Sequence, residues 1–305
     1  MLFEALRKRA LVFAMAICNV LLLFVFDSFF FGGHAFSLNL GGIGTAWSTL
    51  LSSALLFGIG AVLLLATMRV SLSSLLVRPS FSDMGVYMRV GLGSGLDSLV
   101  RNVAYFFMII RLVNTIGASE IGGYYLAMQI LWSFMLVPVL AFADSAKALV
   151  ANASGDLRQV RLLWHASMFA VALFMVVWIS VVPGFKGFAG LLSADAATVA
   201  YAVTAFGILF VPYVMFCFNT VMDAFFYGLG RTKYLAYQSI ITNGTVYVAA
   251  FLLYITGIWT PTFESIMVLF SLGILVDSVL TVTFLLKVLY LDPAGADLGL
   301  EADKA

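Results

Sequence analysis

Charge is what this chain has least of: Asp, Glu, Lys and Arg make up 10% of its 305 residues, and the formal net charge is +1. That balance supplies no field to recruit nucleic acid, and no basic tract interleaved with aromatics stands ready to bind it. Histidine is nearly missing. His34 and His165 form no His-Glu-x-x-His run, and no serine in a Gly-x-Ser-x-Gly setting has a histidine base, so intramembrane protease and acyl-transfer chemistry lack their parts. No repeated filter motif or acidic ring argues for a channel. The only two cysteines, Cys18 and Cys217, lie in apolar runs without a His or second Cys at ligand spacing, and read as small core residues. Nor does the first apolar stretch look like a cleaved leader, since it ends in Phe29-Phe30-Phe31 with no small-residue cleavage pattern after it.

What is abundant is apolar length, at 63% of residues. A helix needs about 20 mainly apolar residues to cross the hydrocarbon layer. Eight runs meet that need: Leu11–Phe31, Ile43–Met68, Val90–Val113, Gly122–Val150, Leu162–Val182, Thr198–Tyr227, Tyr234–Trp259 and Phe263–Tyr290. Each is too long for a barrel strand and none alternates, which predicts an all-α polytopic membrane protein.

Basic residues near helix ends are retained on the cytoplasmic side. Arg7, Lys8 and Arg9, then Arg69, Arg78 and Arg89, Arg158 and Arg161, and Arg231 and Lys233 fall on one set of connections; Lys186 alone falls on the other. This predicts a multi-pass protein of the cell membrane with both termini cytoplasmic. The spacing predicts a two-helix hairpin over 1–68, an amphipathic cytoplasmic linker over 69–89, a six-helix bundle over 90–290 and an acidic tail over 291–305. Asn19 and Asn243 open comparable helical stretches, a weak internal echo that makes the first hairpin look equivalent to the last.

Several segments, in order, resemble a known family. Leu40-Gly41-Gly42-Ile43-Gly44-Thr45-Ala46-Trp47-Ser48-Thr49 is similar to the start of the sixth helix of multidrug and toxin extrusion (MATE) transporters. Met88-Arg89-Val90-Gly91-Leu92-Gly93-Ser94-Gly95 resembles the start of the second lobe, and Ile116-Gly117-Ala118-Ser119-Glu120-Ile121-Gly122-Gly123-Tyr124 the turn into its next helix. Leu191-Leu192-Ser193-Ala194-Asp195-Ala196 resembles the loop that commonly reads Phe-Thr-x-Asp-Pro. Tyr227-Gly228-Leu229-Gly230-Arg231-Thr232-Lys233 resembles the Gly-x-Gly-Asp-Thr-Arg segment leaving the tenth helix. The resemblance implies a member of the multidrug, oligosaccharidyl-lipid and polysaccharide exporter superfamily: two six-helix lobes around a cleft, no enzyme activity and no cofactor. It implies that the chain starts at the family's fifth helix, so that transport would need a four-helix complement or a homo-oligomer, or else the chain is a non-transporting membrane subunit. The expected substrate is a small molecule, an organic cation or, for a flippase, an anionic lipid-linked sugar. Membrane lipid is the other expected contact.

Ionisable groups at depth are the candidate working residues, because charge within the bilayer is costly and lines a cavity or finds a partner. Asp97 and Arg101 share a helix face at i, i+4, and Asp277 lies near the middle of the eighth run. Asp97 and Arg101 either neutralise each other or form a working site in which Arg101, followed by Asn102 and Tyr105, meets an anionic substrate or switches between Asp97 and Asp277. Asp277 is equally open as a coupling carboxylate, a partner of Arg101 or a bonded core group. Asn219 and Asp223 share a face beyond Pro212, where the helix is expected to kink, although Asp223 stands near its end. The family's sodium-coupled branch carries an acid near Arg101, so the resemblance favours a proton over sodium as coupling ion here. Met128, Gln129, Trp132 and Met135 form one stripe that can line an adaptable cleft with Tyr105, or simply pack. No metal ligands are expected.

Overall fold

The computed structural model describes residues 9–30, 36–38, 40–68 and 81–291, and the described chain is built from helices. With no water in hydrocarbon to bond amides, each spanning segment satisfies its backbone along its own helix. Eight helices follow from the apolar runs: α1 (Arg9–Phe30), α2 (Gly41–Met68), α3 (81–113), α4 (Ala118–Asn152), α5 (Leu157–Leu192), α6 (Ala196–Gly228), α7 (Lys233–Ile255) and α8 (Phe263–Leu291). Six of them, α2 and α4 to α8, are long and apolar enough to cross a membrane over the described residues. The exception in the larger unit, α3, carries Asp83, Arg89, Asp97 and Arg101.

The chain divides into two compact units, Met1–Ser80 and Phe81–Ala305. In the first, α1 and α2 form a hairpin whose turn is closed by the Leu38 and Leu40 amides donating to the carbonyls of Phe29 and Phe30, at 2.8 and 2.9 Å. Of the expected linker, 69–80 lies outside the described residues and Phe81 to Arg89 are already helix, so α3 starts nine residues earlier than the apolar run does. The acidic tail from Asp292 also lies outside them.

In the second unit α6 is the central post. Helices α4 and α8 pack along it, part of α5 joins them, and α7 pairs chiefly with α3. Lipid tails are as apolar as the side chains, so close packing rather than water exclusion holds such a bundle together, and small residues set its tightest approaches. A Cβ on Gly123 would stand 2.9 Å from the Ala202 amide nitrogen, so α4 and α6 meet backbone to backbone there. A Cβ on Gly93 would stand 2.6 Å from Thr232 Oγ1 and 2.9 Å from the Lys233 nitrogen, which seats α3 on the turn between α6 and α7. Gly91 and Gly95 have no such neighbour.

Helix starts are set by local chemistry. Glu120 Oε2 accepts from the Gly117 amide at 2.5 Å, Asp156 caps α5, and Thr262 and Ser265 bond reciprocally at the head of α8. Asp195, in the segment that resembles Phe-Thr-x-Asp-Pro, caps α6 by accepting from Thr198 Oγ1 at 2.5 Å and from the amides of Thr198 and Ala197 at 3.0 and 3.3 Å. The Thr198 hydroxyl first, then those two amides, hold its exposed carboxyl below the usual carboxylate range. Helix α5 outruns the predicted Leu162–Val182 because the chain tightens to one 3-10 turn over Val182–Gly184 and resumes as Phe185–Leu192. There the Phe185 ring stacks on Phe206 at 3.8 Å. Helix α6 continues through Pro212.

Among the described residues four π-helical turns fall within or at the end of the spans: Tyr105–Ile109 in α3, Leu131–Met135 in α4, Asn243–Tyr247 in α7 and Lys287–Leu291 at the end of α8. Such turns widen a helix by one residue and re-aim the side chains that follow.

Candidate functional site: a charged cluster beside an aromatic pocket

In the second unit a polar cluster, partly buried, gathers from α3, α6, α7 and α8. On α3, Arg101 Nε donates to Asp97 Oδ1 at 2.8 Å, the pair expected from their spacing. Both also meet Ser239 of α7: its hydroxyl donates to Asp97 Oδ1 in a short bond and accepts from Arg101 Nε at 3.2 Å. That hydroxyl therefore uses its one proton on the acid and a lone pair on the base. The next nitrogen of the guanidinium reaches toward α6, where Arg101 Nη2 stands 3.9 Å from Asp223 Oδ2. The acids are the deeper members, with side chains 7% and 16% exposed for Asp97 and Asp223 against 42% for Arg101.

Helix α8 adds the third acid. Asn219 Nδ2 donates to Ser278 Oγ at 2.8 Å and lies 3.5 Å from Asp277 Oδ2. Ser278 Oγ gives its own proton to the Ile274 carbonyl at 2.7 Å, so it can only accept from Asn219, and that fixes which way the Asn219 amide faces. Asp277 feels the charges of Arg101 and Asp97 but has no basic group within 4 Å among the described residues. Three carboxylates from three helices thus face one guanidinium. One guanidinium cannot pair closely with all three, so a proton or a cation can take up what it leaves.

The expected residues separate on this geometry. Asp97, Arg101, Asn219, Asp223 and Asp277 come together; Asp223, placed by sequence near a helix end, is covered because its neighbours Val221, Met222, Ala224, Phe225 and Phe226 are all buried. Asn102 does not join them: it is exposed and bonds the Ser98 carbonyl of its own helix at 2.8 Å. Sequence reasoning missed Ser239, Ser278, Gln238 and Thr242. The available signal was polar side chains inside apolar runs: Gln238, Ser239 and Thr242 precede Asn243 on α7 and Ser278 follows Asp277 on α8, while Asn243 itself turns back to the Ser239 carbonyl at 2.7 Å.

Beside the cluster lies a pocket of about 370 Å³ with no charged residue in its lining. Eight of its twelve lining residues are aromatic: Tyr105, Tyr124, Tyr125, Trp132, Tyr213, Phe216, Tyr247 and Phe270, joined by Met128. Three π-helical turns supply its wall, delivering Tyr105 and Ile109 from α3, Trp132 from α4 and Tyr247 from α7. Tyr213 is the fixed point: its hydroxyl lies 3.2 Å from Trp132 Nε1, which donates to it, and 3.3 Å from Met128 Sδ. Of the expected cleft residues, Tyr105, Met128 and Trp132 line this pocket. Gln129 does not, and instead donates to Ser133 Oγ at 2.9 Å on an exposed face, while Met135 is buried in the core. Among the described residues no group of three or more metal-ligating side chains is assembled.

Known structures share this arrangement of helices. An outward-facing multidrug resistance MATE family transporter of the MOP superfamily superposes with a TM-score of 0.71 at 20% identity, covering 90% of this chain and 61% of its own. A MOP superfamily transporter from Pyrococcus furiosus, described as having a binding pocket of reverse polarity, gives 0.72 at 18% identity over 90% and 62%. A MATE protein in complex with MaL6 gives 0.69 at 20% identity over 90% and 62%. The chain therefore spans about three fifths of the length of these relatives. No curated protein matches it in sequence. Residues 96–252, just over half of the chain and including Asp97, Arg101, Asn219, Asp223 and Ser239, match the MatE family, and the chain belongs to that family of membrane transporters rather than to any class of enzyme.

Proposed function

We propose that the chain works within a secondary-active exporter of the MATE type, in which the Asp97–Arg101–Asp223–Asp277 cluster couples a proton to alternating access and the aromatic pocket takes the organic substrate. The observation that carries this reading is the sharing of Arg101 between acids of α3 and α6 and the hydroxyl of α7. When a proton neutralises one acid, the guanidinium moves toward another, and helices that each hold one partner shift with it. Asp277, the acid without a cation at contact distance, is the coupling residue. Sodium fits less well because the guanidinium already holds the centre of the site. The chain lies in the cell membrane with both termini cytoplasmic, and transport takes place in an assembly that contains both lobes.

One observation favours a second reading. The Arg101 side chain stays partly exposed, and a planar cation suits a pyrophosphate better than it suits a cationic drug. Proteoliposomes carrying the assembly decide between them. Efflux of an organic cation driven by a pH gradient supports the exporter; movement of a lipid-linked sugar pyrophosphate with no such dependence supports the flippase and rejects proton coupling.

A further inference from the structure

The charged cluster leaves a second set of polar atoms unexplained. Gln238 of α7 is 0% exposed, yet neither its Nε2 nor its Oε1 has a hydrogen-bond partner, and Thr242, one turn further and 5% exposed, has an unpartnered hydroxyl. Across on α6, Asn219 Oδ1 and Asp223 Oδ1 are likewise buried and unpartnered. A buried amide with both ends unmet is rare in native proteins, and ordered water with two to four polar contacts is the usual resolution.

The helix register shows where these atoms lie. Tyr234, Gln238 and Thr242 stand at i, i+4 and i+8 and form one stripe of α7. At one end of the stripe the Tyr234 ring packs 5.4 Å from Phe284 of α8; at the other, Thr242 lies beside the Asp277 carboxylate, outside full hydrogen-bond geometry. The two helices run antiparallel, so Gln238 faces the α8 stretch between Asp277 and Phe284, where Thr281 is also fully buried. The Tyr234 ring, 5.7 Å from Phe226 as well, closes the end nearer the α6–α7 turn.

We propose that Gln238 and Thr242 hold buried water between α7 and α8, and that this water reaches Asp277 as its proton-access path, with the Tyr234, Phe226 and Phe284 rings as the closed end. Gln238 supplies two donors and an acceptor, and Thr242 one of each, enough to fix a water in a chain ending on the carboxylate. The role as a proton path rests on the reading of Asp277 given above; the hydration of Gln238 does not.

Solid-state NMR of the full chain in lipid bilayers, labelled with ¹⁵N-glutamine, tests this directly. The chain has three glutamines, Gln129, Gln159 and Gln238, and loss of one signal in Gln238→Leu assigns the third. Magnetisation transferred from water is expected to reach the Gln238 side-chain amide as quickly as that of the exposed Gln159, and to fall in Thr242→Val. Transfer no faster than to buried backbone amides in the unsubstituted chain overturns the proposal, as does an unchanged rate in Thr242→Val for the part given to Thr242. A dry Gln238 together with lost coupling in Asp277→Asn rejects the path and leaves Asp277 as the coupling residue. A wet Gln238 with coupling intact in Asp277→Asn keeps the water site and rejects its use as a proton path.

Discussion

The Asp97–Arg101 contact can be weighed by a double-mutant cycle of Asp97→Asn and Arg101→Gln. Exposed ion pairs couple by about 0.2–1 kcal/mol, whereas breaking a fully buried pair costs about 3–5 kcal/mol. This pair lies between those limits, with the acid 7% and the base 42% exposed. A coupling of about 1–2 kcal/mol follows, a factor of roughly 5–30 in the unfolding equilibrium. Ser239 moderates the single changes unequally: in Arg101→Gln its hydroxyl still donates to Asp97, whereas in Asp97→Asn the guanidinium loses its nearest negative charge and keeps neutral oxygens and the more distant Asp223. Arg101→Lys should recover only part of the loss, because one ammonium cannot span Asp97 and Asp223 as two separate nitrogens of the guanidinium do. Equilibrium unfolding by SDS in mixed micelles, followed by circular dichroism, gives the four stabilities. A coupling below about 0.5 kcal/mol, within the additivity of independent sites, would refute the claim that the pair acts as a unit.

Three further outcomes are expected. Gly93→Ala places a methyl against the Thr232–Lys233 backbone and should cost about 1–3 kcal/mol in the same assay, while Gly91→Ala and Gly95→Ala, with open space around them, should leave stability unchanged or raised; equal effects at all three positions would contradict the packing. Asp195→Ala should lower the melting temperature near neutral pH. Because the folded carboxyl sits below its unfolded value, its contribution is complete above the ordinary carboxylate range and disappears on acidification, so the two proteins should converge at low pH; a gap that widens in acid contradicts the cap. Trp132→Ala should weaken binding of an aromatic substrate by about 2- to 12-fold, the equivalent of about 0.5–1.5 kcal/mol for one aromatic contact, while Gln129→Ala leaves it unchanged; equilibrium binding in nanodiscs separates the two.

Much of this architecture is written in local sequence, and its limits have physical causes. Eight apolar runs suffice to place eight helices because a bilayer forces the backbone into them, and the i, i+4 spacing of Asp97 and Arg101 is enough to predict their contact. The partner that completes the pair, Ser239, lies 138 residues beyond Arg101 and enters only because α7 packs on α3. Asp223 looked peripheral because depth was counted along its own helix, whereas burial depends on the helices that cover that end. Gln129 and Met128 are adjacent in sequence but diverge in space, and while Met128 and Trp132, four apart, both line the pocket, the π-helical turn over Leu131–Met135 leaves Met135 in the core, a one-residue shift that no hydrophobic period reveals. Gln238 carries no motif at all, and only its full burial marks it.

Asp277, as proposed above, links proton uptake to movement of the lobe, and its substitution separates the two. In proteoliposomes containing the two-lobe assembly, substrate flux and proton counterflow should be recorded together for the unsubstituted protein and for Asp277→Asn. Asp277→Asn is expected still to bind and exchange substrate but no longer to accumulate it against a gradient or to move protons. Proton-driven accumulation that persists undiminished in Asp277→Asn would contradict that role.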